Sequence, residues 1–158
     1  MAQDTSIRRV DFGHFLRPAS ETRSGHAQAE PVLGYVVDHP DGVLLFDTGM
    51  GGSPEVDAYY RPTRTPLREA VPELDDVTMV ANCHLHFDHC GGNPELAGRP
   101  VFTQRGELAA ARSTADYTLP QLLDSDSYEE LDGVAEVLPG VTLLPTPGHT
   151  SGHQSLVV

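Results

Sequence analysis

Apolar residues along this chain fall into short runs separated by glycine, proline and acidic turns, a spacing that predicts strands more often than helices. Ile7–Phe15 interleaves β-branched and aromatic residues with polar ones and is expected to be a first strand. Val32–Asp38 (VLGYVVD) and Val43–Asp47 (VLLFD) flank His39-Pro40-Asp41-Gly42, a turn by composition, so the pair predicts a hairpin. Thr48–Pro66 holds Gly49, Gly51, Gly52, Pro54, Pro62 and Pro66 with no sustained apolar period, and is expected to be a long loop. Leu67–Leu74 predicts a short helix interrupted by Pro72, and Val77–Ala81 (VTMVA) a buried strand. Pro100–Thr103 then reads as a strand, Gln104–Arg112 (QRGELAAAR) as an alanine-rich helix and Leu119–Leu123 as a helical turn. Val134–Leu138, Val141–Leu144 and Gln154–Val158 complete the pattern as short β segments. Strands and helices alternate too often for an all-β chain, so the expected class is α/β.

A length of 158 residues suits one domain with one core, residues 1–158. The opening MAQDTSIRRV carries two arginines with no apolar run after them, so no secretory signal is expected. No stretch approaches the roughly 18 apolar residues that span a bilayer, and a cytoplasmic protein with no membrane partner is the expectation. Twenty-three acidic residues against ten basic ones give a net charge of −13. Such a surface repels phosphate backbones, and no Lys/Arg stripe offsets it, which argues against nucleic acid as a partner. Cys83 and Cys90 lack the C-x₂₋₄-C spacing of structural zinc sites and read as reduced, small apolar fillers rather than ligands.

The chemistry is concentrated in Asn82–Asn93, NCHLHFDHCGGN, where three of the eight histidines and an aspartate fall within six residues. In an extended segment residues i and i+2 point the same way, so His84 and His86 can converge on one metal while Leu85 packs behind them. Asp88 and His89 follow after a bend and would face a neighbouring position for a second metal. Gly91-Gly92 lets the backbone turn away. The bland alternative, a solvated histidine-rich turn, would waste four ligand-type side chains. Far along the chain, His149 sits on a Pro-Gly turn in PGHTSGH at the end of a strand. Three imidazoles, His84, His86 and His149, make a zinc site with one position open for water. His153 either touches metal or packs beside it. Asp47, at the end of a buried strand, either fixes the tautomer of a ligating histidine or is a strand-end turn residue.

HLHFDH, the DTG at Asp47–Gly49 and PGHTSGH resemble the successive motifs of the metallo-β-lactamase superfamily, over a span from about Val32 to Val158. The resemblance implies an αβ/βα sandwich with metals at one edge. The order HLHFDHCGGN, VFTQRGEL, EVLPGVTLLPTPGHTSGHQSLVV is similar to that of the N-acyl homoserine lactonases, which open the lactone ring of bacterial signalling molecules. It implies His84, His86 and His149 on one metal and Asp88 and His89 on the other. The family's bridging aspartate, last histidine and substrate-side tyrosine lie later in its chain. QSLVV stops in an apolar strand, so the chain is expected to be the N-terminal half to two-thirds of the sandwich, with an exposed sheet face that self-associates. Two Zn²⁺ ions are expected to activate the attacking water, with Asp88 as proton shuttle and a small-molecule lactone or ester as substrate. Tyr59 and Tyr60 either form a lid over an acyl chain or simply pack on the domain. The rival readings are a thioester or other ester hydrolase on the same scaffold, and a truncated, metal-binding but inactive protein.

Overall fold

Among the described residues lie ten strands and three α-helices: β1 (Ser6–Arg17), β2 (Gln28–His39), β3 (Gly42–Phe46), α1 (Pro54–Tyr60), β4 (Thr63–Arg64), α2 (Leu67–Ala70), β5 (Met79–Ala81), β6 (Val101–Gln104), α3 (Arg105–Ser113), β7 (Tyr128–Leu131), β8 (Ala135–Leu138), β9 (Val141–Pro145) and β10 (Gln154–Val157). The computed structural model describes residues 5–124 and 127–158. Seven strands form a mixed sheet in the order β4-β1-β2-β3-β5-β6-β7, and three form a smaller antiparallel sheet, β10-β9-β8. β1, β2 and β3 are an antiparallel meander; β5, β6 and β7 then add in parallel to β3.

The large sheet is apolar on both faces, which explains the unbroken runs VLGYVVD and VLLFD. Successive side chains on a strand point to opposite faces. Val36 and Leu45 accordingly join a core with Phe12, Leu67, Val71, Leu74 and Val80, on the side of α2. Their neighbours Val37 and Leu44 join the opposite core with Phe46, Leu138, Val141 and Leu143, between the two sheets. A third cluster, Leu85, Cys90, Leu108, Ala111 and Leu122, lies beneath the histidine-rich loop and packs it on α3.

Two stretches differ from the sequence expectation. Thr48–Pro66 is not a structureless loop: Ser53 caps α1 by accepting a hydrogen bond from Val56 N at 3.2 Å, with Pro54 in the first turn, and Thr63–Arg64 pairs with Gly13 and His14 of β1. A seven-residue helix is too short to display an apolar period, so its cap and proline are the readable signals. β7 escapes the strand pattern because its Glu129 and Glu130 are exposed on the last strand of the sheet, where apolar alternation is not required. Among the described residues no helix is long and apolar enough to cross a membrane. The small sheet leaves Leu144 and Val157 exposed.

The loop after β3 and the histidine loop are zipped together by backbone bonds, Thr48 N to His89 O (2.9 Å), Gly51 N to Phe87 O (2.7 Å) and Gly91 N to Gly49 O (2.8 Å). A Cβ on Gly91 would be driven into the backbone of Gly51 and Met50. Gly91→Ala is therefore expected to cost about 2–4 kcal/mol. Gly106→Ala, in open space on α3, should be neutral or stabilise by about 0.5–1 kcal/mol. Urea unfolding of both variants checks the pair; equal midpoints would contradict the close packing of the two loops.

Candidate metal centre

β5 delivers the chain into the loop Asn82–Gly92, and a buried polar network holds that loop in shape. Asn82 donates through Nδ2 to His89 O (2.9 Å) and accepts at Oδ1 from Asn93 Nδ2 (2.8 Å). Thr48 donates its hydroxyl to Asn93 Oδ1 (2.8 Å), and Gly92 N donates to Thr48 Oγ1 (3.1 Å). Leu85 is fully buried on the far side of the loop, so His84 and His86 share the other.

The loop between β9 and β10 brings His149 to the same place. His86 Nδ1 lies 3.1 Å from His84 Nε2 and 3.2 Å from His149 Nε2. A zinc ion with Zn–N bonds of about 2.0–2.1 Å in tetrahedral geometry sets its ligand nitrogens about 3.3 Å apart. These edges match that spacing, and the donor set therefore fits a divalent ion. Burial, with the neighbouring His89 and His86, pushes His84 down to about 2, and burial with His149 lowers His86. Both are neutral imidazoles with a free lone pair, the form that binds metal.

Asp88 and His89 lie beside this triangle, the ring of His89 4.2 Å from that of His84. Asp47 follows β3 in the left-handed region, at φ 64°. Its Oδ1 accepts from Cys83 N (2.8 Å), and its Oδ2 lies 3.0 Å from His89 Nδ1, the contact that a tautomer-fixing role requires. His89 Nε2 is left facing Asp88 Oδ2 at 3.3 Å. Burial lowers His89, but the charge and hydrogen bond of Asp47 and the bond to Asp88 outweigh it and raise the imidazole well above its usual range. Burial raises Asp88, but the hydrogen bond and charge of His89 outweigh it and hold the carboxyl at about 2. Asp88 and His89 thus form a close pair at the side of the triangle.

A cleft of about 750 Å³ opens onto His86, Asp88 and His149, walled by Phe15, Tyr59, Tyr60, Phe87 and Tyr117. Tyr60 stacks on Phe87 with ring centres 5.2 Å apart and meets Phe15 edge-on at 5.3 Å. Tyr59 is half exposed at the rim and meets Tyr60 at right angles.

Residues 27–158 match the family model of the metallo-beta-lactamase superfamily. The chain belongs to that superfamily. It is 36% identical over 145 residues to an N-acyl homoserine lactonase from a Bacillus species, an alignment covering 81% of this chain. It spans 58% of the length of that curated relative. Its structure superposes with a TM-score of 0.84 and 30% identity on AiiA of B. thuringiensis, solved with N-decanoyl-L-homoserine at the active site. It superposes with a TM-score of 0.83 and 32% identity on an N-acyl homoserine lactone hydrolase with N-hexanoyl-L-homoserine at its catalytic metal center. Both superpositions cover 99% of this chain and 70% of the solved one, and the two-sheet architecture is the metallo-β-lactamase fold.

In this superfamily member, the five metal-type residues read from the sequence lie together, and Asp47 reaches them. His153 does not join the triangle: its Nδ1 lies 2.9 Å from the Thr146 hydroxyl. Both cysteines are free and buried. Burial pushes each thiol up to about 12, so neither is a thiolate, yet Cys83 Sγ sits 3.0 Å from His84 Nδ1, closer engagement than a filler needs. Sequence reasoning missed Glu107, which is fully buried beneath the histidine loop. On an alanine-rich helix nothing in the sequence sets it apart from a solvated glutamate.

Asp47→Ala removes the acceptor for the buried Cys83 N–H and places alanine at a positive φ, so it should cost about 2–4 kcal/mol. Asp47→Asn keeps an acceptor oxygen and tolerates the left-handed backbone, so it should recover at least half of that. Thermal melting of the two variants decides; an equal loss in both would place the stabilisation in the carboxylate charge instead.

Proposed function

We propose that this chain carries the metal-binding part of a hydrolase that opens the lactone ring of N-acyl homoserine lactones, with Zn²⁺ held by His84, His86 and His149 and a second ion by Asp88 and His89. The observation that carries the reading is the convergence of three imidazoles at an aromatic-walled cleft. An imidazole and carboxylate donor set suits zinc. Bound zinc would lower the pKa of a water from about 15.7 towards 7 and polarise the lactone carbonyl.

The chain's own residues do the rest. Asp88, held beside the triangle by His89, accepts the proton released as water adds to the carbonyl carbon. When the ring C–O bond breaks, the same carboxyl returns that proton to the leaving alkoxide. Tyr59, Tyr60, Phe87 and Phe15 hold the acyl chain, with Tyr59 as the part of the lid nearest solvent. The aromatic wall also keeps water away from the reacting carbonyl.

Metal analysis of the purified chain, paired with lactone, thioester and β-lactam assays on the same sample, tests the reading. Expected are at least about one zinc per chain, at the three-histidine position, and opening of the lactone in preference to the other two. Asp88→Asn should lower kcat about 10²–10⁴-fold while the three-histidine site keeps its ion. Zinc binding with thioester but no lactone turnover would reassign the substrate, and no turnover on any substrate would leave a metal-binding protein only.

Tyr59→Ala should weaken long-chain substrates relative to short ones, raising KM for a decanoyl lactone about 10-fold more than for a butanoyl one, as expected from lost apolar burial. An unchanged chain-length preference would reduce Tyr59 to surface packing.

A further inference from the structure

One buried carboxylate has no part in the chemistry above. Glu107 lies in the first turn of α3, wholly shielded from solvent. A carboxylate removed from water is tolerated only when its oxygens are well supplied with donors. Here Oε1 accepts from Leu85 N at 2.8 Å and from the Tyr117 hydroxyl at 2.6 Å, and Oε2 accepts from the Thr150 hydroxyl at 2.7 Å.

Each of those donors adjoins a member of the imidazole triangle. Leu85 lies between His84 and His86. Thr150 follows His149. Tyr117 packs its ring 4.8 Å from that of His86. Gly152 adds a steric contact: a Cβ there would collide with the backbone of Glu107, so the His149 loop lies directly on the first turn of α3. His149 itself is exposed, and the loop's internal bond, Gly148 N to Thr150 O, turns the loop without tying it to the histidine segment. Gln154 does bridge the two segments, from its backbone N to Cys83 O at 2.8 Å, but at the start of β10.

We propose that Glu107 is a positioning residue, a single buried carboxylate that sets the His84–His86 segment and the His149 loop at the separation a shared divalent ion needs. It never touches the ion. It acts through Leu85, Thr150 and Tyr117, and thereby organises the site before metal arrives. The inference rests on the three-imidazole reading of the metal centre.

The test uses Co²⁺ as a spectroscopic probe on the 158-residue chain, with affinity from titration of its visible absorption and stability from melting of the metal-free protein. Thr150→Val keeps the shape of the side chain and removes the hydroxyl that binds Glu107 and adjoins Tyr117. It should weaken Co²⁺ binding about 10- to 100-fold and alter the visible band shape that reports coordination geometry. Glu107→Leu keeps the volume, removes every acceptor, and should weaken binding further. Glu107→Gln keeps an oxygen for Leu85 and Tyr117 and turns its amide towards the Thr150 oxygen, so it should recover most of the wild-type affinity and spectrum. If Thr150→Val binds Co²⁺ with wild-type affinity and spectrum and only melts lower, Glu107 is structural and the proposal fails. Should Glu107→Leu not fold, Thr150→Val and Glu107→Gln together still separate the positioning role from the structural one. A wild-type chain that takes up no Co²⁺, or a His84→Ala chain that binds it as tightly, refutes the metal-centre reading itself and this inference with it.

Discussion

Four imidazoles crowd into one corner of this protein, with His84 at 4.2–4.7 Å, ring centre to ring centre, from His86, His89 and His149. Such a cluster cannot be fully protonated, because burial and mutual repulsion both oppose positive charge. His84 and His86 are accordingly neutral, and His84 Nε2 approaches His86 Nδ1 to 3.1 Å. His89 is the exception that completes the arrangement, since Asp47 and Asp88 bracket it and keep its proton.

The scaffold supplies those supports from one edge. β3, β5 and β6 are neighbouring parallel strands, and the segments leaving their carboxyl ends contribute Asp47, the His84–His89 run and Glu107 in turn. Ligand sites of α/β sheets gather at such ends because consecutive loops there lie side by side. The small sheet adds the last member, carrying His149 on the connection from β9 to β10. Because the large sheet is buried on both faces, its strand ends are rigid, and loops hung from rigid ends can hold nitrogens to the tolerance a metal ion demands.

The chain belongs to the metallo-β-lactamase superfamily and is similar to N-acyl homoserine lactonases. The chain spans 58% of the length of its curated Bacillus relative. The imidazoles of His84, His86 and His149 lie within reach of one shared divalent ion, and Asp88 pairs with His89 beside them.

What the sequence determined by itself was local. Alternation along an extended segment put His84 and His86 on one side and Leu85 on the other, and turn chemistry marked the β2–β3 hairpin, because covalent geometry acts over two to four residues wherever the chain goes. Motif resemblance then reached further, linking His149 to residues 63 positions away. The rest was decided by packing. α1 is too short to show a period, β7 carries glutamates because it borders the sheet, and His149 and His153 occupy nearly the same local context yet face different neighbours. Glu107 looks in the sequence like one more solvated residue on an alanine-rich helix. Its partners Leu85 and Thr150 lie 22 and 43 residues away, and only the folded chain sets them against its two oxygens, which is why its burial is visible in the tertiary structure alone.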